Sequence, residues 1–258
     1  MMNITPMVKQ LLIINIIFFI GSQVVGDKAY ELFSLYFFEN DKFQAWQPLT
    51  HMFMHAPIYL PDSSHNFTHI LFNMFALFSF GSALENRWGG MKFLFFYISC
   101  GLGAALLNTA IDFYQFHQGI SILTENGFSK AEILSILAEG KYNTQWEELL
   151  SASEFNNFMT TYLGRTMGAS GAVYGLLVAF AFMFPNAVLG LMFIPIPIKA
   201  KYFVSGILVV DLVLGLFGSS VFGVETGVAH FAHIGGALVG FLMMWYWKKN
   251  QFNKNRWN

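Results

Sequence analysis

Residues 168–184 read GASGAVYGLLVAFAFMF, a glycine-rich apolar run that begins beside a serine. The run has no charged side chain, and it approaches the roughly 20 apolar residues that a helix needs to cross a bilayer. Gly171 and Gly175 lie four residues apart, a spacing that lets a second helix backbone approach closely. The stretch therefore predicts a membrane helix packed inside a protein, with Ser170 at its start.

The composition of the whole chain favours a membrane protein. Its 258 residues are 55% hydrophobic and 11% charged, whereas soluble domains are about 25% charged. A chain with so few charges cannot cover a water-exposed surface, so we expect the lipid bilayer as its surroundings. The net charge of −1 gives no reason to expect a nucleic-acid partner. The single cysteine, Cys100, excludes an internal disulfide framework.

Six apolar runs predict an all-α membrane protein, a bundle of six transmembrane helices. The first run resembles the apolar part of a signal peptide, but it lacks a convincing cleavage site, so we interpret it as a retained helix. The predicted spans lie near residues 9–26, 69–86, 91–110, 168–184, 202–217 and 228–247.

The distribution of Lys and Arg predicts the orientation of the bundle. Nine of the 14 basic residues fall in the N-terminal, C-terminal and short connecting segments of one side, which the positive-inside rule assigns to the cytoplasm. Both termini are then cytoplasmic, as in a protein of a bacterial inner membrane. The long acidic loop, residues 111–167, lies outside and contains two amphipathic segments, SKAEILSILAEG and WEELLSAS. We expect it to form a helical extramembrane insertion.

Polar residues open three of the predicted spans. His69 and Asn73 open the second, Ser170 the fourth, and His230 and His233 the sixth. These three spans all run from outside to inside, so their polar starts lie at the same depth. Polar side chains are costly inside a membrane and are functional candidates there.

A serine and a histidine at one depth indicate acyl-transfer chemistry. Neutral His233 can take the proton of the Ser170 hydroxyl and so activate it as a nucleophile. At the start of a helix, the backbone N–H groups of Ala169 and Ser170 are free to stabilise an oxyanion. His69 and Asn73 share a helix face and can add side-chain donors.

Glycines favour close contact between the fourth and sixth spans. Gly168 and Gly171 flank the serine and leave its backbone open. Gly236 and Gly240 form a second small-residue ridge, which can pack against the ridge that begins at Gly171. This packing would bring the serine and histidine within hydrogen-bond reach.

Other polar residues have simpler interpretations. Tyr174 lies four residues after Ser170, where its ring can support the imidazole of His233. Asp211 lies inside the fifth span, and we expect an interhelical hydrogen bond from it and no further role. His230 is interpreted as a structural residue or as a neighbour that faces the loop. We expect loop hydrogen bonds from His51, His55 and His65.

Five motifs, taken in order, resemble those of the rhomboid family of intramembrane serine proteases. They are HMFMH at 51–55, HILFN at 69–73, ENRWG at 85–89, GASGAVYG at 168–175 and HIGGALVG at 233–240. The resemblance implies a six-helix bundle that hydrolyses peptide bonds in or next to the transmembrane segments of protein substrates. It implies Ser170 as nucleophile, His233 as general base, an oxyanion hole of His69, Asn73 and the Ser170 N–H, a structural role for Glu85 and Arg87, and no metal or cofactor.

The chain departs from the family pattern in its loops. Gln47 follows Trp46 where many relatives have an arginine, so a polar tie in the first outer loop is expected to differ. Residues 56–64 resemble an insertion, and the 111–167 loop is longer than in a minimal member. The fifth span and the glycine-containing connection at 218–227 are our candidates for a gate.

Two other functions fit parts of the sequence. Seven histidines can form a metal site, as in a metal transporter or a metal-dependent membrane enzyme, although no H-E-x-x-H motif is present. A non-catalytic rhomboid-like protein that binds membrane clients would share the fold, but it would not need both Ser170 and His233. The sequence does not give the oligomeric state.

Overall fold

A computed structural model of the chain describes residues 3–58, 64–191, 194–222 and 228–254. It is a bundle of helices with one short β-hairpin. The elements are α1 Pro6–Val25, α2 Asp27–Phe33, α3 Gln47–Thr50, α4 Ser64–Ala76, α5 Ser82–Trp88, α6 Gly90–Glu125, α7 Lys130–Ala138, α8 Trp146–Leu149, α9 Ala152–Leu163, α10 Ser170–Met183, β1 Val188–Leu191, β2 Ile194–Lys199, α11 Ala200–Phe222 and α12 His230–Lys254.

The fold class predicted from the sequence, an all-α membrane bundle, is confirmed. In the described part of the chain, four helical segments are long and apolar enough to cross a membrane: Pro6–Val25, Phe67–Trp88, Gly90–Glu125 and Ala200–Phe217. The second segment is continuous because a π-helical turn, Leu77–Gly81, joins α4 to α5. Helices α10, with 14 residues, and α12, with 25 residues, correspond to the other two predicted spans.

Helices α6, α10 and α12 form the centre of the bundle, packed through glycines. A Cβ atom on Gly175 would meet the side chain of Cys100, and one on Gly240 would lie 2.9 Å from Gly175 Cα. Helices α1 and α11 are peripheral. Only 22% of the residues in the most apolar stretch of α1, and 17% in that of α11, are buried inside the protein. Their exposed isoleucines, valines and leucines suit contact with lipid.

The third helix is longer than the predicted span, which ended near residue 110. Helix α6 continues to Glu125, because the residues after 110 keep an apolar face that packs in a second core. That core joins the end of α6 to α7, α8, α9 and the first loop. Its buried members are Phe37, Phe116, Ile120, Leu123, Ile133, Leu137, Trp146, Leu150, Phe158 and Tyr162.

The two amphipathic segments of the 111–167 loop differ in structure. SKAEILSILAEG forms α7, capped by the Ser129 side chain. WEELLSAS gives only the four-residue α8, because Ser151 starts a new helix, α9, through a capping box with Glu154. The antiparallel pairing of β1 with β2, in the register Val188↔Lys199, is an element that the hydropathy pattern did not predict.

Glu85 ties α5 to the start of α1. Its carboxylate accepts hydrogen bonds from the Thr5 hydroxyl and from the backbone N–H groups of Met7 and Val8, at 3.0 and 2.9 Å for the two N–H donors. These are donors that a helix start leaves without intrahelical partners. Arg87 lies with its guanidinium 5.6 Å from the centre of the Phe184 ring. Both residues therefore lie in contacts between helices.

Candidate active site

Ser170 and His233 are hydrogen-bonded to each other across the interface of α10 and α12. The distance from Ser170 Oγ to His233 Nε2 is 2.9 Å. Each residue lies in the first turn of its helix, so the two helix starts meet at one level. This contact has the geometry that a hydroxyl needs to pass its proton to an imidazole.

Glycine contacts explain why the two helices come so close. A Cβ atom on Gly236 would overlap the carbonyl oxygen of Gly171, and one on Gly171 would lie 3.4 Å from the carbonyl oxygen of Ala232. Any larger residue at Gly236 would push α12 away from α10. The separation of Ser170 and His233 is therefore set by the contact between the two helix backbones at Gly171 and Gly236.

Tyr174 stacks on the imidazole of His233. The ring centroids lie 4.1 Å apart and the rings are inclined by 12°. Tyr174 lies one turn after Ser170 on α10, so the same helix presents the hydroxyl and the supporting ring. The stacking restricts rotation of the imidazole about χ2.

Gly168 brings His69 close to the serine. Its φ of 127° lies in a region of backbone conformation that residues with a side chain rarely adopt. A Cβ atom at Gly168 would lie 3.2 Å from His69 Cε1 and 3.6 Å from Ser170 Oγ. The glycine thus leaves a small space that the His69 ring and the serine hydroxyl share.

The remaining predicted oxyanion donors are Ala169 and Asn73. Ala169 is the N-cap residue of α10 and is fully buried, and its methyl side chain makes no capping hydrogen bond to the first N–H groups of the helix. Asn73 donates one amide hydrogen to the His69 carbonyl at 2.8 Å, which leaves its second amide hydrogen for another acceptor. His69 Nδ1 has no hydrogen-bond partner among the described residues.

The first outer loop supports the site through two buried histidines. His55 Nε2 pairs with Asn15 Oδ1 at 2.9 Å, and its ring lies 5.6 Å from that of His69. The His51 carbonyl accepts a hydrogen bond from Gly168 N–H at 2.9 Å. Burial lowers the pKa of His55 to about 3 and that of His51 to about 4. Both imidazoles therefore remain neutral at physiological pH. The side chain of His65, the third histidine predicted to form loop hydrogen bonds, lies outside the described part of the structure.

Gln47 provides the polar tie that the sequence departure had put in question. Its side chain is fully buried. The amide oxygen accepts from Tyr36 N–H at 3.2 Å, and the amide nitrogen donates to the carbonyls of Glu31 and Lys42 at 3.1 and 2.9 Å. A neutral amide thus joins three points of this loop.

Asp211 makes the interhelical hydrogen bonds expected of it, but sequence reasoning did not predict that its partners are two histidines of α12. Its Oδ1 lies 3.0 Å from His233 Nδ1 and 2.6 Å from His230 Nδ1. A carboxylate inside a span was the available signal, but hydropathy does not show which way a helix face points. The side-chain atoms of Asp211, His230 and His233 that are able to coordinate a metal ion lie within 4.8 Å of one another.

A cavity of about 420 Å³ lies beside the C-terminal part of α11 and the start of α12. Its described lining includes His230, Asp112 and Arg165 but neither Ser170 nor His69. Of the polar residues that open the second, fourth and sixth predicted spans, the described lining of this cavity includes only His230. Residues 223–227 of the candidate gate lie outside the described part of the chain.

Comparison with known proteins identifies the family. A profile of the rhomboid domain matches residues 42–128 and 149–250. Rhomboid protease AarA of Providencia stuartii is 28% identical over 181 residues, which are 69% of this chain and 50% of that protein. Rhomboid protein 1, mitochondrial, of Saccharomyces cerevisiae is 24% identical over 188 residues, or 72% of this chain and 40% of the relative. The chain spans half or less of the length of these relatives. Since the rhomboid profile covers most of the chain, including Ser170 and His233, the protein belongs to the rhomboid family.

Proposed function

We propose that this protein is an intramembrane serine endopeptidase, with Ser170 as nucleophile and His233 as general base. The observation that carries the proposal is the 2.9 Å hydrogen bond between Ser170 Oγ and His233 Nε2. A serine activated by an adjacent base is the minimal machinery of acyl transfer. The relative named Rhomboid protease AarA supports the same class of reaction.

In the proposed reaction, Ser170 Oγ attacks the carbonyl carbon of the scissile peptide bond while its proton passes to His233 Nε2. The resulting imidazolium donates that proton to the leaving amine as the C–N bond breaks. Water then gives a proton to the imidazole and attacks the acyl-enzyme. The ester bond breaks, and Ser170 recovers its proton as the carboxylic acid leaves.

The oxyanion formed in each half of the reaction requires donors fixed beforehand. We assign the backbone N–H groups of Ala169 and Ser170 and the side chains of His69 and Asn73 to this role. Removing one such donor from an acyl-transfer enzyme costs about 10²–10³ in kcat. Because His55 pairs with Asn15, it is assigned to supporting His69.

We propose transmembrane segments of other proteins as substrates, because apolar peripheral helices surround the site. The positive-inside rule supports cytoplasmic termini, a site that opens to the extracytoplasmic side, and a cell inner membrane as location. The reaction requires no metal or cofactor.

Cleavage of a model transmembrane substrate in liposomes tests the proposal. We expect Ser170→Ala to abolish cleavage, while Ser82→Ala, the same change at a buried serine of α5, retains it. EDTA is expected to leave the rate unchanged. Loss of activity in EDTA would support the metal-enzyme alternative, and a wild-type protein that binds substrates without cleaving them would support the client-binding alternative.

A further inference from the structure

Asp211 is a buried carboxylate in the middle of an apolar helix. Its side chain is 5% exposed, and its helix α11 is otherwise one of the most lipid-exposed in the bundle. A carboxylate in such a position is costly unless it is paired. The structure pairs it with two imidazoles of α12, His230 and His233.

The contact with His233 is made at the nitrogen that Ser170 does not use. His233 Nδ1 lies 3.0 Å from Asp211 Oδ1, while Nε2 faces the serine at 2.9 Å. The three side chains thus form one line of hydrogen bonds that crosses α11, α12 and α10. Tyr174 stacks on the same imidazole, so the tyrosine ring and the Asp211 carboxylate both restrict the orientation of His233.

This arrangement determines which nitrogen of His233 carries the proton. An ionised carboxylate can only accept a hydrogen bond, so Nδ1 must be the donor. In the neutral imidazole the lone pair is then on Nε2, where it faces the Ser170 hydroxyl. The opposite tautomer would place N–H against the hydroxyl and leave no base for the serine proton.

The same contact favours the charged intermediate of the reaction. When His233 takes the serine proton it becomes an imidazolium, 3.0 Å from a carboxylate oxygen. A fixed negative group in a region of low dielectric stabilises that charge without reorganisation. His230 Nδ1, 2.6 Å from the same oxygen, gives the carboxylate a second hydrogen-bond partner and helps to hold it in place.

We propose that Asp211 is a positioning residue that completes a Ser170–His233–Asp211 triad. It fixes the tautomer and orientation of His233 from a neighbouring helix. The inference rests on the proposed function, since it assigns the residue that prepares the general base. A second consequence is that α11 contributes to the reaction through its contact with His233.

The first test is nitrogen-15 NMR of histidine-labelled wild-type protein in bicelles at pH 8. The His233 signals are assigned by difference from His233→Gln. We expect a protonated Nδ1 and an unprotonated Nε2. The reverse tautomer would overturn the proposal, and this result does not depend on whether any Asp211 variant folds.

The second test compares Asp211→Asn, Asp211→Glu and the control Glu85→Gln in the cleavage assay. We expect Asp211→Asn to lower kcat by at least about 100-fold with little change in KM, because the amide can present N–H to Nδ1 and reverse the tautomer. Asp211→Glu should keep part of the activity. Glu85→Gln, the same change in a carboxylate of α5, should keep kcat within about twofold while lowering thermal stability.

The outcomes separate this inference from the proposed function. If Asp211→Asn is as active as the wild type, the triad is wrong and the Ser170–His233 pair stands. If the wild-type protein neither cleaves substrate nor reacts at Ser170, the proposed function and the triad both fail. The side-chain nitrogen and oxygen atoms of Asp211, His230 and His233 lie close enough together to bind a metal ion. If the protein binds stoichiometric Zn²⁺, Asp211→Asn abolishes that binding and EDTA raises the activity, the three residues form an inhibitory metal site, and the proposed triad is wrong.

Discussion

At the scale of single residues, the site depends on what each imidazole can accept or donate. His233 has a partner on both nitrogens, Asp211 on one side and Ser170 on the other. His55 uses one nitrogen for Asn15, while His69 keeps Nδ1 without a described partner. His233, with both nitrogens engaged, is held for proton transfer, whereas His69 presents Cε1 and Nε2 to the space beside Gly168 and Ser170.

The buried loop histidines predict how stability depends on pH. The lowered pKa of His55, about 3, means that the folded protein resists its protonation while the unfolded chain accepts a proton near pH 6.5. Stability should be constant above about pH 6.5 and fall by on the order of 1 kcal/mol per pH unit as pH decreases toward 4, with His51 adding a similar loss.

Thermal unfolding in detergent between pH 7.5 and 5 measures this effect. His55→Gln should flatten the decline, because the amide can still donate to Asn15 and does not titrate. An unchanged slope in His55→Gln would show that burial of this histidine is not the cause.

At the scale of helices, glycine contacts bring the reacting groups together. The backbones of α10 and α12 touch where Gly171 and Gly175 face Gly236 and Gly240. In a membrane, lipid tails are as apolar as the helix side chains, so hydrophobic burial does not drive helices together. Close van der Waals packing must therefore hold α10 against α12. The Ser170–His233 distance is a direct result of that packing.

Gly236→Ala should separate the two helices. The new methyl group would overlap the carbonyl oxygen of Gly171, and overpacking of this kind costs about 1–3 kcal/mol. We expect lower thermal stability. The cleavage rate should fall by at least about tenfold, because a longer distance between Ser170 and His233 weakens general-base catalysis. Gly206→Ala is the control, since a Cβ there meets nothing within 4 Å. Equal activity of the two variants would contradict the packing argument.

At the scale of the whole molecule, hydropathy and motif order were sufficient for the fold class and for the close pair Ser170 and His233. Both follow from topology, because spans that run in the same direction start at the same depth. The partner of Asp211 was not predictable, since it depends on the rotation of α11 about its axis. The β1–β2 hairpin was missed because hydropathy does not distinguish short apolar strands from apolar helix segments. The extension of α6 to Glu125 was missed because residues 111–125 are only partly apolar.

The orientation of the molecule in its membrane can be measured with single cysteines. Cys100 is buried, so a membrane-impermeant maleimide should leave the wild type unlabelled. Lys141→Cys, in the exposed loop between α7 and α8, should be labelled in intact cells, and Lys201→Cys, near the start of α11, only after permeabilisation. The opposite pattern would reverse the assigned topology.

The most direct test of the catalytic assignment is reaction of the purified protein with a fluorophosphonate probe, followed by intact-mass analysis and peptide mapping. We expect one adduct per chain, located on Ser170, absent in Ser170→Ala and formed far more slowly in His233→Gln. A wild-type protein that forms no adduct, or an adduct on Ser170 whose rate is the same in His233→Gln, would contradict the activation of this serine by that histidine.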